Sequence, residues 1–186
     1  GLNISNIGSK INYGEDYSYF IPTNLRLGLS YMIPLNEYNR ISFSADANKL
    51  LVPSKPLQGP EESNEEYEER IREKYYDMSP ISGMFKSFSD SERGFKGEME
   101  EIQWSVGMEY TYNDKFSLRG GYHHESKYQG NRKYATVGAG FRLNVMAIDA
   151  GYVIATTPSN PLDQTFRVSL TFDFDGIRDM IGRKRR

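Results

Sequence analysis

The chain has 186 residues, of which 38% are hydrophobic, 13% aromatic and 26% charged, with a formal net charge of −2 and no cysteine. The length fits one domain of ordinary size. The near-balanced charge argues against a general nucleic-acid binder, and the missing cysteines exclude disulfides, thiol catalysis and cysteine-ligated metal centres. No run of about 18 apolar residues is present to form a transmembrane helix. The opening residues GLNISNIGSK lack an initiator Met and the features of a secretory signal peptide, so the chain is expected to be processed or a piece of a longer protein.

Along the chain the apolar pattern has period two. Gly1 to Ile7 is read as the tail of a first strand. Leu25, Leu27, Leu29, Tyr31 and Ile33 then alternate with Arg26, Gly28, Ser30 and Met32. Ile41, Phe43, Ala45 and Ala47 follow, set against Ser42, Ser44 and Asp46. The same alternation marks strands over 102–112, 116–122, 135–143, 146–154 and 166–174, with Trp104, Val106, Leu118, Val137, Ile148, Val168 and Leu170 among the apolar members. The apolar faces carry no charge. The opposing faces hold Arg26, Arg119, Arg142 and Arg167 with Asp46, Glu109, Asp149 and Asp173, four charges of each sign.

A soluble β-sandwich or lipocalin-like barrel also alternates in this way. Strand length argues for a membrane instead. These strands run roughly 9 to 13 residues, where about 5 to 6 is usual in soluble sheets and about 9 to 11 crosses a bilayer at a tilt. Aromatic residues near strand ends (Tyr31, Tyr110, Tyr112, Tyr122, Tyr152, Phe172, Phe174) suit interfacial girdles, and Gly, Ser, Thr and balanced charge suit a lumen. Connections alternate short and long: 36–40, then 51–100, the Asn113-Asp114 turn, 127–131, the tight turn at Asn144, and 158–162. The expected fold is all-β, a transmembrane antiparallel β-barrel. Residues 1–174 form its wall, a long extracellular insertion spans 52–100, and 175–186 is a basic periplasmic tail. The connections 8–20, 51–100, 127–131 and 158–162 lie outside.

The insertion differs from the rest. Residues 52–100 carry twelve acidic and seven basic side chains, a net of −5. Pro53, Pro56 and Pro60 break its start, and Ser63 with Glu66 fits a capping box that opens a helix over 61–76. The apolar run from Pro80 to Phe88 is expected to be flexible. Its Ile81, Met84, Phe85 and Phe88 are the candidate partner-binding residues, with a lid folded into the barrel mouth as the alternative. The tail carries a net charge of +3, with Ile177, Met180 and Ile181 spaced for one stripe of a short helix.

No residues stand out as catalytic, cofactor-binding or metal-ligating. His123 and His124 are the only histidines; adjacent on a strand, they point to opposite faces and cannot share a metal. An omptin-like or phospholipase-like site would need His123 with Glu109 or Asp149. The expectation is a protein that is not an enzyme.

Several ordered segments carry a resemblance: Glu101-Ile102-Gln103-Trp104-Ser105-Val106-Gly107, Arg119-Gly120-Gly121-Tyr122, Gly130-Asn131-Arg132-Lys133 through Thr136-Val137-Gly138-Ala139-Gly140-Phe141, Asn160-Pro161-Leu162-Asp163-Gln164-Thr165, Phe172-Asp173-Phe174-Asp175-Gly176-Ile177, and Gly83-Met84-Phe85-Lys86-Ser87-Phe88-Ser89-Asp90 in the insertion. Together they resemble the PorV family of the type IX secretion system in Bacteroidetes, which is FadL-like. The resemblance implies a fourteen-stranded barrel in the bacterial outer membrane, of which this chain supplies the C-terminal seven or eight strands. It implies a non-enzymatic carrier without cofactor. Such a carrier collects secreted substrates at the translocon, SprA or Sov, by their C-terminal signal domains. It delivers them to the sortase PorU in an attachment complex with PorZ and PorQ. The partners implied are these proteins and outer-membrane lipid, not nucleic acid. A FadL-like transporter of hydrophobic small molecules is the alternative.

Overall fold

The computed structural model describes residues 1–14, 17–158 and 160–183. The chain is mostly β, with a large antiparallel sheet. Its strands are β1 (Leu2–Ser5), β4 (Asn24–Pro34), β5 (Asn39–Leu50), β6 (Gln103–Tyr112), β7 (Phe116–His124), β8 (Lys133–Arg142), β9 (Met146–Ala155) and β10 (Phe166–Phe172), in that order across the sheet. A short ribbon of β2 (Ile11–Asn12) and β3 (Ser18–Tyr19) precedes β4. Among the described residues no helix is long and apolar enough to cross a membrane. The chain divides into two compact units, Gly1–Leu27 with Ala47–Gln103 and Gly28–Asp46 with Trp104–Arg186.

In the second unit, strand follows strand without a crossover, and the register keeps the two faces chemically distinct. Glu109 stands opposite Arg119, Ser105 opposite His123, and Val137 opposite Gly120 and Tyr152. Asn113 and Asp114 both take left-handed φ (51° and 54°), the geometry of a two-residue type I′ hairpin, and the Lys115 N–H closes it on the Tyr112 carbonyl at 3.0 Å. The strand ends expected from the sequence hold within a few residues, with one correction. Phe174 and Asp173 are not the last rungs of the final strand. β10 stops at Phe172, and α4 (Phe174–Arg183) begins. The Asp173 carboxylate accepts the Gly176 N–H at 3.1 Å, so a side chain read as part of the polar strand face instead caps a helix. The basic end of the tail, 184–186, lies outside the described residues.

The distribution of burial is the reverse of a water-soluble fold. Among the described residues only two hydrophobic side chains are buried, Leu51 and Ile71, while Ser87, Thr111, Ser117 and Glu125 are buried polar ones. Leu27, Leu29, Tyr31, Trp104, Val106, Leu118, Val137, Tyr152, Val168 and Leu170 are all exposed. These are the apolar members of the alternating strands. Among the described residues, the apolar face of the sheet is therefore exposed.

The first unit supplies the small conventional core. The Leu51 N–H bonds the Thr23 carbonyl at 2.8 Å where β5 leaves the sheet. The segment read as a long acidic loop is mostly helical: α1 (Asn64–Ile71) runs on as a π-helical turn (Arg72–Tyr76), followed by α2 (Pro80–Lys86) and α3 (Gly94–Glu101). The capping box forms as expected. Ser63 Oγ accepts the Glu66 N–H at 3.3 Å, and the Ser63 N–H donates to Glu66 Oε2 at 3.0 Å. Arg70 clamps Glu62 with two bonds of 2.6 and 2.7 Å. That clamp, with the Gly59 N–H, lowers the Glu62 carboxyl to a pKa of about 2. Lys10 Nζ donates to the Tyr75 and Tyr76 carbonyls at 3.3 and 2.6 Å, satisfying acceptors that the end of the helix leaves open.

Candidate partner-binding site

The apolar run 80–88 is not a flexible loop. Ser79 accepts the Ser82 N–H at 3.1 Å, and Pro80 occupies the first helical turn, where its missing N–H costs nothing. These two residues start α2 in a stretch whose Gly and Ser content suggested no regular structure. One side of the helix is seated on the unit. A Cβ on Gly83 would stand 2.7 Å from Cε1 of Phe20 and 3.2 Å from Cδ of Pro53, so only glycine admits this approach. Ser87 is fully buried and turns its hydroxyl back to the Met84 carbonyl at 2.8 Å.

The other side faces solvent. Ile81 (67% exposed) and Phe85 (75%) are four residues apart and share one face, and Phe88 (50%) follows beyond the helix end. Met84 is half-buried. Ile81 and Phe85 thus share one exposed face, Phe88 is exposed beyond the helix with the Lys49 ammonium 5.9 Å from its ring centroid, and Met84 is turned partly inward. Sequence reasoning overlooked Phe95 (81% exposed) and Met99, which repeat the i, i+4 spacing on α3, and Leu57 on the preceding strap. Their spacing was available as a signal, but a dense setting of charges masked it.

The insertion is fixed by charge at its base. Lys49, buried at the end of β5, binds Glu98 at 3.1 Å and Glu101 at 2.5 Å. Asp90 accepts the Ser54 N–H at 2.7 Å, Glu98 the Ser91 N–H at 2.7 Å, and Glu92 the Leu57 N–H at 3.1 Å. Burial, aided by Glu98 and Glu101, pushes the Asp90 carboxyl above the ordinary range. Oxygens of Asp90, Glu98 and Glu101 lie within 4.8 Å of one another. The Lys49 ammonium already bonds two of them, so their charge is met by a side chain.

The polar face of the sheet carries a different chemistry. Arg119 pairs with both Glu109 and Asp149, and Arg40 with Asp114. A cavity of about 480 Å³ lies along this face, lined by Ser30, Ser42, Ser44, Ser105 and Thr136 with Asp46 and His123. His123 Nδ1 is 2.9 Å from Ser105 Oγ, and its ring stacks on Tyr134 at 4.8 Å. His124 stacks on Trp104 at 5.0 Å instead. The two histidines take opposite faces, as adjacent strand residues must. Glu109 and Asp149, the acids a hydrolase site would require beside His123, are both engaged by Arg119.

At the end of β7 the chain folds into a clasp. Glu125 is fully enclosed and accepts three bonds from Arg132: the backbone N–H at 3.1 Å, Nε at 2.7 Å and a guanidinium NH2 at 2.9 Å. Gly130 passes at φ 132°, where a Cβ would lie 2.8 Å from Glu125 Oε2.

These features define a class: a β-sheet protein of long antiparallel strands, apolar and exposed on one face, lined with hydroxyls and paired charges on the other, and bearing a helical insertion with an exposed Phe surface. The particular likeness is to a secretion component. The family described as Type IX secretion system protein PorV matches residues 1–57, from β1 through β5 to the start of the insertion. The segments quoted above for the resemblance, between residues 83 and 177, lie beyond that stretch. No curated protein matches the chain.

Proposed function

We propose that this chain forms part of the wall of an outer-membrane β-barrel that serves the type IX secretion system as a non-enzymatic carrier. The observation that carries the membrane part is the outward apolar face. A water-soluble monomer rarely exposes a contiguous apolar patch larger than a few hundred Å², whereas a barrel wall requires one. In lipid the unpaired edges of β1 and β10 need partner strands, so the eight strands are read as an arc of a larger closed barrel. The secretion part is supported by the PorV match over residues 1–57.

In this reading the helical insertion stands outside the cell, and the α2 surface of Ile81, Phe85 and Phe88 docks a protein partner. The partners proposed are the translocon SprA or Sov, the C-terminal signal domains of secreted substrates, and the sortase PorU with PorZ and PorQ. Paired charges along the polar face favour a filled lumen over an open pore.

Co-purification from cells tests the proposal. Phe85→Ala combined with Ile81→Ala should leave the barrel inserted and folded while reducing recovery of translocon and substrate together. Undiminished recovery of both would contradict it.

A further inference from the structure

A second pocket lies within the first unit, and no residue of α2 lines it. It has a volume of about 330 Å³, at the small end of the roughly 300–1,000 Å³ typical of ligand sites. Three of its eight lining residues are tyrosines. Tyr67 projects from α1, and Tyr76, at the end of the π-helical turn, stacks on Tyr17 at 4.4 Å between centroids. The buried Ile71 forms part of the lining. Asn64, Tyr67, Glu68 and Ile71 fall at three- and four-residue spacings, so a single face of α1 lines it.

The polar groups at this pocket retain hydrogen-bonding capacity. Lys55 Nζ is 3.5 Å from the Tyr76 hydroxyl and lies over the Tyr76 ring, and among the described residues it has no carboxylate within ion-pair distance. Gln58 donates through Nε2 to Asn64 Oδ1 at 3.0 Å, which fixes both amides and leaves the Gln58 oxygen to accept and the Asn64 nitrogen to donate. Glu68 lines the same pocket as a further acceptor. The Tyr67 hydroxyl is committed to the Pro56 carbonyl at 3.0 Å, which holds the ring in place.

We infer that this pocket binds a neutral saccharide. The Arg70 guanidinium lies over the Tyr67 ring at 5.5 Å and Tyr76 stacks on Tyr17, so the C–H groups of a sugar would meet the remaining faces and edges of these tyrosines. Alternating donors (Lys55, Asn64) and acceptors (Gln58, Glu68) suit hydroxyls, each of which both donates and accepts. A simple anion would meet Glu68 as well as Lys55, and a hydrocarbon would strip water from four polar side chains without replacing their bonds.

Saturation-transfer difference NMR on the full-length protein, in a detergent without a sugar headgroup, tests this directly. The probes are glucose, mannose and N-acetylglucosamine with their disaccharides, each at about 10 mM, a concentration that detects millimolar affinity. Irradiating the aromatic protons should transfer saturation to the ring C–H protons of at least one probe. Lys55→Ala and Asn64→Ala should each weaken that transfer by about tenfold, the scale of one lost charge-assisted or neutral bond. Phe85→Ala, on the other surface, should leave it unchanged. Circular dichroism checks that each variant is folded. The inference is overturned if no saccharide shows transfer, if Lys55→Ala and Asn64→Ala leave the transfer intact, or if acetate displaces every bound probe through Lys55 alone.

Discussion

Two neighbouring residues on β10 separate a lipid-facing wall from a water-facing one. Val168 is 54% exposed and stands opposite Ala150; Ser169 is also exposed and stands opposite Asp149. Neither site is a packed core position. If the sheet faced water on both sides, Arg at either residue would change stability by no more than about 0.5 kcal/mol. If the apolar face lies in hydrocarbon, Val168→Arg costs about 2–4 kcal/mol near the bilayer midplane. That is a shift of about 30- to 700-fold in the folding equilibrium. Ser169→Arg, on the polar face beside Asp149, should cost close to nothing. The assay is denaturant titration of the full-length protein refolded into phospholipid vesicles, followed by tryptophan fluorescence and by the gel-mobility shift of folded barrels. Equal losses at the two positions, or a larger loss at Ser169, would refute the assignment of faces.

Other expectations follow from the ion pairs and caps. Arg119→Ala removes the partner of both Glu109 and Asp149, but the group is half-exposed, so the loss should be only about 1 kcal/mol in the same titration. Burial raises the Glu125 carboxyl, but its bonds to Arg132 outweigh this and hold it below the ordinary value. A depressed acid stabilises the fold above its unfolded pKa of about 4.3 and loses that contribution as pH falls through the folded value. Protection from hydrogen exchange over 125–132, taken relative to the intrinsic rate at each pH, should therefore stay high at neutral pH and fall only in acid, and Glu125→Gln should remove that acid-dependent loss. Ser63→Ala should cost about 1 kcal/mol of α1 stability, read by exchange across Asn64–Ile71. Because Arg70 holds Glu62 at about 2, that clamp should survive acidification until the pH falls through this value.

The strands were readable from the sequence because each carries its own period-two signal, and the Asn113-Asp114 turn because its residues tolerate positive φ. α1 was legible through its capping box. α2 was hidden because its N-cap Ser79 and first-turn Pro80 look like loop residues, and its Gly83 is there for the approach of Phe20, a contact from 63 residues earlier in the chain. The same distance effect concealed the buried Lys49, which meets its acids only after the insertion has folded. At the chain end, Asp173 fitted the alternation of the last strand, but a short polar side chain three residues before a backbone N–H also makes a cap, and the cap prevailed. For the candidate site, the residue types pointed to Ile81, Met84, Phe85 and Phe88 alike; only the fold separates the half-buried Met84 from the three exposed ones.

In the proposed barrel the apolar face of the sheet lies against lipid. Spin labels placed singly along β8, from Tyr134 to Phe141, in the full-length protein in a bilayer measure this most directly. Accessibility to oxygen, which partitions into hydrocarbon, should be high at Ala135, Val137, Ala139 and Phe141. Accessibility to a water-soluble nickel chelate should peak at none of these positions. A uniform profile, or oxygen maxima at Thr136, Gly138 and Gly140 instead, would rule out a lipid-facing apolar side.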